Sequence, residues 1–263
     1  MMRLTAKQIL SRHDKALTKK EDFRSLYDEA YEFALPQRNL YDGYYDGGVG
    51  GQNKMNRVFD STAINSTQRF ANRMQSGIFP PQRNWCRLEP GSDIPLDRKQ
   101  EAQRALDMYT ETFFDTLKQS NFDIAIGEFL LDLSVGTAVM MVQPGDDVNP
   151  INFIPVPQYL VAFEEGADGK VDNVYRRIRI KGEAIQRQWP EATIPEKIQI
   201  QIDNKPTEDV ELIEATVYDD KRGDYCYHVI HKGTNEEILY KRMSYSPWIV
   251  ARYAKVAGEI YGR

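Results

Sequence analysis

The stretch FLLDLSVGTAVMMV, residues 129–142, is the longest apolar patch of the chain and the point at which its pattern changes. Asp132 and Gly136 interrupt it, so it reads as a buried helix passing through a glycine into a strand. A membrane span would need about 18 uninterrupted apolar residues. Upstream, apolar residues recur at three and four, the helical period. Downstream come short runs rich in Val, Ile and Tyr between Gly, Asp and Asn turns. Helices first and strands later predict an α+β fold, with a helical region over residues 1–136 and a β-rich, mostly antiparallel region over 137–263.

On the helical side, Thr5 is placed to cap a helical run to residue 35, as one helix or two, with Ile9, Leu17, Phe23, Leu26, Tyr27, Ala30 and Phe33 as its apolar positions. Pro36 ends it. YDGYYDGGVGGQNKMN, residues 41–56, lacks apolar periodicity and reads as an exposed loop. A helix over 60–78, opened by Asp60 or Ser61, puts Ile64, Thr67, Ala71, Met74 and Ile78 on one face and Thr62, Asn65, Arg69, Asn72 and Ser76 on the other. From Pro95 a further helix aligns Ala102, Leu106, Tyr109, Phe113 and Leu117. Ser120 or Asn121 then opens a helix whose Ile124, Ile126, Phe129, Leu130 and Leu133 surround it, which predicts the central buried helix.

On the other side, AVMMV, INFIPV, YLVAF, NVYRRIRI, VELIEATVY, YCYHVIH and EEILY read as strands. GEAIQRQWP reads as a short helix. PEKIQIQI fits a helix or a strand, because IQIQI also alternates.

The 263 residues suffice for one large domain or two ordinary ones, and 41% apolar with 28% charged residues is the balance of a folded protein. Two cysteines far apart give no disulfide framework and suggest a reducing compartment. The N-terminal residues lack the apolar core of a secretory signal. Net charge is −5, from 39 acidic and 34 basic side chains, which argues against a sequence-reading DNA binder.

Reactive constellations were sought and none converges. Cys226, His228 and His231 could ligate a metal, but strand alternation sends His231 to the face opposite Cys226 and His228. Cys86, beside Trp85, reads as packed and His13 as solvated. GGVGG at 47–51 lacks the Lys-Ser/Thr of a phosphate loop. Asp219, Asp220 and Asp224 lie in a turn without the spacing of a calcium loop and read as a hairpin. Their one enzymatic alternative is a metal-dependent site acting on nucleic acid. The sequence thus predicts no catalytic residue, no metal and no cofactor.

Three separated segments carry a likeness: YEFALPQRNLY (31–41), FANRMQSGIFPPQRNWCRL (70–88) and WIVARYAKVAGEIYGR (248–263). With Leu35-Pro36 as a helix stop, Trp85, Arg87 and Leu88 as a W-x-R-L element, and Gly258, Glu259, Tyr261, Gly262 and Arg263 closing, the chain resembles the head-to-tail connector, or portal protein, of short-tailed bacteriophages over nearly its whole length. The resemblance implies the wing of a dodecameric ring at one capsid vertex. Channel stem, clip and crown would then lie downstream of Arg263. It also implies virion location after synthesis in the bacterial cytoplasm, with no membrane partner. Terminase, capsid or scaffolding and tail proteins are the implied partners, and DNA passes as transient cargo. Another capsid or tail adaptor is the non-enzymatic alternative. Trp85 and Leu88 are expected in the wing core, and Arg69, Arg73, Arg83 and Arg87 at a seam between subunits.

Overall fold

The structure, a computed structural model, describes residues 3–36 and 59–262; the segment 41–56 and Arg263 lie outside the described residues. The fold is α+β, as the change of pattern predicts. Helices α1 (Ala6–Glu21), α2 (Arg24–Ala34), α3 (Thr62–Ile78), α4 (Leu96–Gln119) and α5 (Phe122–Leu133) come first. Then follow β1 (Thr137–Pro144), β2 (Ile151–Val156), β3 (Val161–Glu165), β4 (Val171–Lys181), α6 (Ile185–Gln188), α7 (Glu196–Asn204), β5 (Asp209–Asp219), β6 (Asp224–His231), β7 (Glu236–Met243) and β8 (Trp248–Arg252). IQIQI is therefore helical, within α7, and WIVAR, which the run of strand signals passes over, is β8. Contacts divide the chain into two compact units that no single cut in the sequence separates. A helical unit holds residues 28–156 and 251–253, and a sheet unit holds 1–27, 157–250 and 254–263.

In the helical unit α5 is the central element, packed against α3, α4, β1 and β2. Phe122, Ala125, Ile126, Phe129, Leu130 and Leu133 are buried around it, with Ala71, Phe114, Leu117, Met140 and Phe153. Ile124 is the exception to the all-round burial expected of α5, at 73% exposure. The helix ends where the sequence turns. Gly136 adopts φ 129°, a conformation side chains resist, and its amide donates to the Leu133 carbonyl, turning the backbone from α5 into β1. Asn121 then fixes β2 with a two-bond clamp: its Nδ2 donates to the Phe153 carbonyl at 2.6 Å and its Oδ1 accepts from the Phe153 amide at 2.8 Å. In the β1–β2 turn a Cβ on Gly145 would lie 1.8 Å from the Asn149 carbonyl oxygen, so only glycine fits.

The sheet unit is built on an antiparallel five-stranded sheet of order β3-β4-β5-β6-β7. Thr5 caps α1 in a capping box with Gln8. The helix lays Ile9 and Ala16 on a sheet face formed by Ala162, Tyr175, Ala215, Val217 and Ile230. The stripe buried on α1 is Ile9, His13, Ala16 and Lys20, one helical face that includes two titratable residues. His13 is thus not solvated, as its charged neighbours suggest, but 4% exposed against Tyr175. Burial lowers its pKa despite a hydrogen bond with Asp14. Lys20 is 6% exposed, its ammonium donating to the carbonyls of Gln158 (2.8 Å) and Val161 (3.0 Å). Burial brings its pKa down to about 7.

The closing segment is tied into the same unit. Tyr261 is fully buried, with ring centroids 5.3 Å from Phe23, 6.2 Å from Tyr27 and 5.0 Å from Phe163. The Tyr27 hydroxyl donates to the Gly262 carbonyl at 2.6 Å. These contacts give the G-E-x-Y-G motif a packing role against Phe23, Tyr27 and Phe163 of the same unit.

Candidate assembly interface

The segment between α3 and α4 carries two of the four arginines named from sequence, and Trp85 is its one half-buried residue between 81 and 89. Trp85 turns inward among Phe79 (5.0 Å between centroids), Phe114 (5.3 Å) and Phe122 (6.2 Å), mostly in edge-to-face geometry. Arg87, two residues on, forks onto Asp107 of α4 with both contacts at 2.9 Å. Gln103 bridges from Asp107 (2.7 Å) to the Leu88 carbonyl (3.3 Å), and the Leu88 amide donates to Thr110 Oγ1 at 3.2 Å. The Arg87 and Gln103 hydrogen bonds hold the Asp107 carboxyl below the usual carboxylate range. Cys86 is exposed rather than packed, and Leu88, expected in the core, is 48% exposed. Trp85 and Arg87 both contact α4, through Phe114 and Asp107. Together Asn84, Trp85, Cys86, Arg87, Asp107, Thr110 and Glu111 bound an open depression of about 550 Å³.

The polar latch also explains the face of α4. The residues it buries are Thr110, Phe114 and Leu117, with Ala102, Gln103, Leu106 and Asp107 half-buried; of the apolar stripe expected at Ala102, Leu106, Tyr109, Phe113 and Leu117, only Tyr109 and Phe113 are exposed. Tyr109 is left 66% exposed and Phe113 42% exposed, and Met108 is 69% exposed beside them. On α3 the wet face is as the periodicity predicts: Thr62, Asn65, Arg69, Asn72 and Ser76 are exposed, and Thr67 and Ala71 are buried. Arg69, Arg73 and Arg83 are exposed, and no ion pair joins them to other described residues. Arg87 is committed to its own chain.

The remaining candidate residues lie in the sheet unit. Asp219 and Asp224 flank the β5–β6 turn and both contact the Arg242 guanidinium, Asp219 at 3.2 Å. Asp220 is exposed in the turn. The two carboxylates thus converge on a cation of their own chain, which is a hairpin staple. Cys226 pairs across the ladder with Val217 and His228 with Ala215, residues of the face under α1, while His231 pairs with Leu212. His228 hydrogen-bonds Glu237 and His231 hydrogen-bonds Thr234. Among the described residues no group of three or more His, Cys, Asp or Glu side chains is placed to hold a metal, and no helix is long and apolar enough to cross a membrane.

The sequence reading missed the Arg87–Asp107–Gln103 latch. Its only trace in the sequence is the i, i+4 spacing of Gln103 and Asp107 on α4. A search of curated proteins returns no match to the chain. The model of the bacteriophage head to tail connecting protein family matches residues 6–263, so the chain belongs to that family, the structural connectors that assemble between capsid and tail in the phage particle.

Proposed function

We propose that the chain forms the wing of a closed connector ring, twelve copies in the arrangement its family resemblance implies, through which a terminase drives DNA into the capsid and from which DNA later leaves. The observation that carries this reading is the aromatic face of α4. Tyr109 and Phe113 sit on an otherwise ordered helix at the edge of the buried stripe, so a neighbouring subunit would complete their burial. A ring needs a heterologous seam, one face of each copy meeting a different face of the next. Arg69, Arg73 and Arg83 supply uncommitted guanidinium groups for such a seam, and Arg87 holds the segment that presents Arg83. The acidic balance of the chain, −5 overall, suits a conduit, because each neutralised phosphate would add affinity that slows passage.

Native mass spectrometry of the purified protein tests the proposal. A single closed oligomer is expected, and the double substitution Arg69→Glu with Arg73→Glu is expected to shift it to monomer. A monomer at all concentrations, or an oligomer indifferent to the charge reversal and to Tyr109→Ser, would overturn the seam.

A further inference from the structure

The sheet unit contains a second feature, unrelated to the seam: a cavity of about 300 Å³ between the start of α1 and the β5–β6 end of the sheet. Its volume lies at the lower edge of the range of small-ligand sites. Four guanidinium groups line it, those of Arg3, Arg12, Arg222 and Arg242, with Tyr218, Tyr240, His228 and Cys226 between them. The rings form an ordered wall. Tyr240 packs 5.0 Å from the His228 ring, and the Arg3 guanidinium lies 3.8 Å over the Tyr240 ring.

Three of the four cations are already engaged. Arg3 pairs with Glu237, Arg12 with Glu164, and Arg242 with Asp219 and Asp224. Arg222 is different. Its backbone amide donates to the Asp219 carbonyl in the hairpin turn, and its side chain makes no ion pair with the other described residues. Glu164, Glu237, Asp219 and Asp224 are paired with the other three arginines and Asp220 lies near Arg12, which leaves Arg222, exposed in the turn, as the one fork lining the cavity that makes no ion pair among the described residues. A dianion such as phosphate would meet four carboxylates close by. A single planar carboxylate would take the Arg222 fork bidentately and leave its apolar body on Val217, Leu4 and the rings.

We propose that this cavity binds a carboxylate-bearing group, through Arg222 at its mouth and the Tyr240–His228 wall within. The carboxylate can come from a small free acid or from an acidic side chain of a protein segment, and the two differ in what surrounds the charge.

Titration followed by NMR of the full chain tests the site, with benzoate, an end-blocked glutamate-centred pentapeptide and inorganic phosphate as the three probes. Saturable shifts at Tyr240 and His228 are expected with at least one carboxylate probe, weakened about tenfold or more in Arg222→Gln, the loss that goes with a charge-assisted hydrogen bond. Tighter binding of the pentapeptide than of benzoate assigns a protein partner, and the reverse order assigns a free acid. Because Arg222 is exposed in a turn, Arg222→Gln should keep the fold, and Arg222→Lys should recover part of the affinity. No shift with either carboxylate, equal affinity in Arg222→Gln, or phosphate binding more tightly than both would overturn the proposal.

Discussion

The helical unit and the sheet unit hold themselves together by different means. Around α5 the packed cluster is apolar and aromatic, with Trp85 among Phe79, Phe114 and Phe122; Asp132 of the same helix and Thr137 are also buried, and Arg87 and Asp107 act as a surface latch. The sheet unit buries a polar chain. Trp189 Nε1 donates to the Tyr227 hydroxyl at 3.1 Å, Tyr227 donates in turn to Glu214, and Arg176 pairs with the same carboxylate, which is 1% exposed. Burial and the adjacent Glu214 raise the Tyr227 pKa, which keeps the hydroxyl protonated as a donor. An apolar interior tolerates reshaping as long as volume is kept, whereas a buried polar chain fails when any one member is left alone.

The largest difference between the units should therefore appear on removing one charged partner. Glu214→Ala leaves the Arg176 guanidinium buried without that carboxylate and is expected to cost about 3–5 kcal/mol, read from urea denaturation. In the helical unit Trp85→Ala opens a cavity among three phenylalanines and should cost about 3 kcal/mol, while Trp85→Phe should recover much of it. A Glu214→Ala effect smaller than that of Trp85→Ala would erase the distinction.

A third test uses pH. Lys20 has a folded pKa of about 7 against an ordinary value of 10.5, so between those values the unfolded chain binds the extra proton. Stability should rise with pH from about 7 to 10.5, by at most about 1.4 kcal/mol per pH unit, and be lost again as pH falls to 7. Denaturation of the wild type and of Lys20→Met across that range isolates the slope; parallel curves would contradict the burial. The smallest effect belongs to the exposed latch. Arg87→Ala should leave the global midpoint nearly unchanged and increase hydrogen exchange at the Leu88 amide alone.

The same contrast decides what the sequence could tell. Element order and the α+β class were legible because the apolar period changes at Gly136, and α5 was legible because Ile126, Phe129, Leu130 and Leu133 surround it, although Asp123, Ile124 and Glu128 are exposed. Faces were harder to read wherever polar side chains are buried. His13 and Lys20 complete the stripe of α1, and Thr110 is buried on α4 with Gln103 and Asp107 half-buried beside the expected Ala102 and Leu106, so a reading by apolarity misses these positions. Those residues are buried because carbonyls, Asp107 and a backbone amide satisfy them, and such pairings bring together positions distant in sequence. For the four arginines the sequence expectation is a seam between subunits, and the Asp107 partner of Arg87 could be known only once α4 was set beside it.

The seam itself is tested most directly by hydroxyl-radical footprinting of the protein at dilute and at assembling concentrations. The account predicts that Tyr109 and Phe113 lose reactivity on assembly while Tyr245 of the sheet unit, also exposed at 68%, keeps it. Unchanged reactivity of Tyr109 and Phe113 in an oligomer would contradict it.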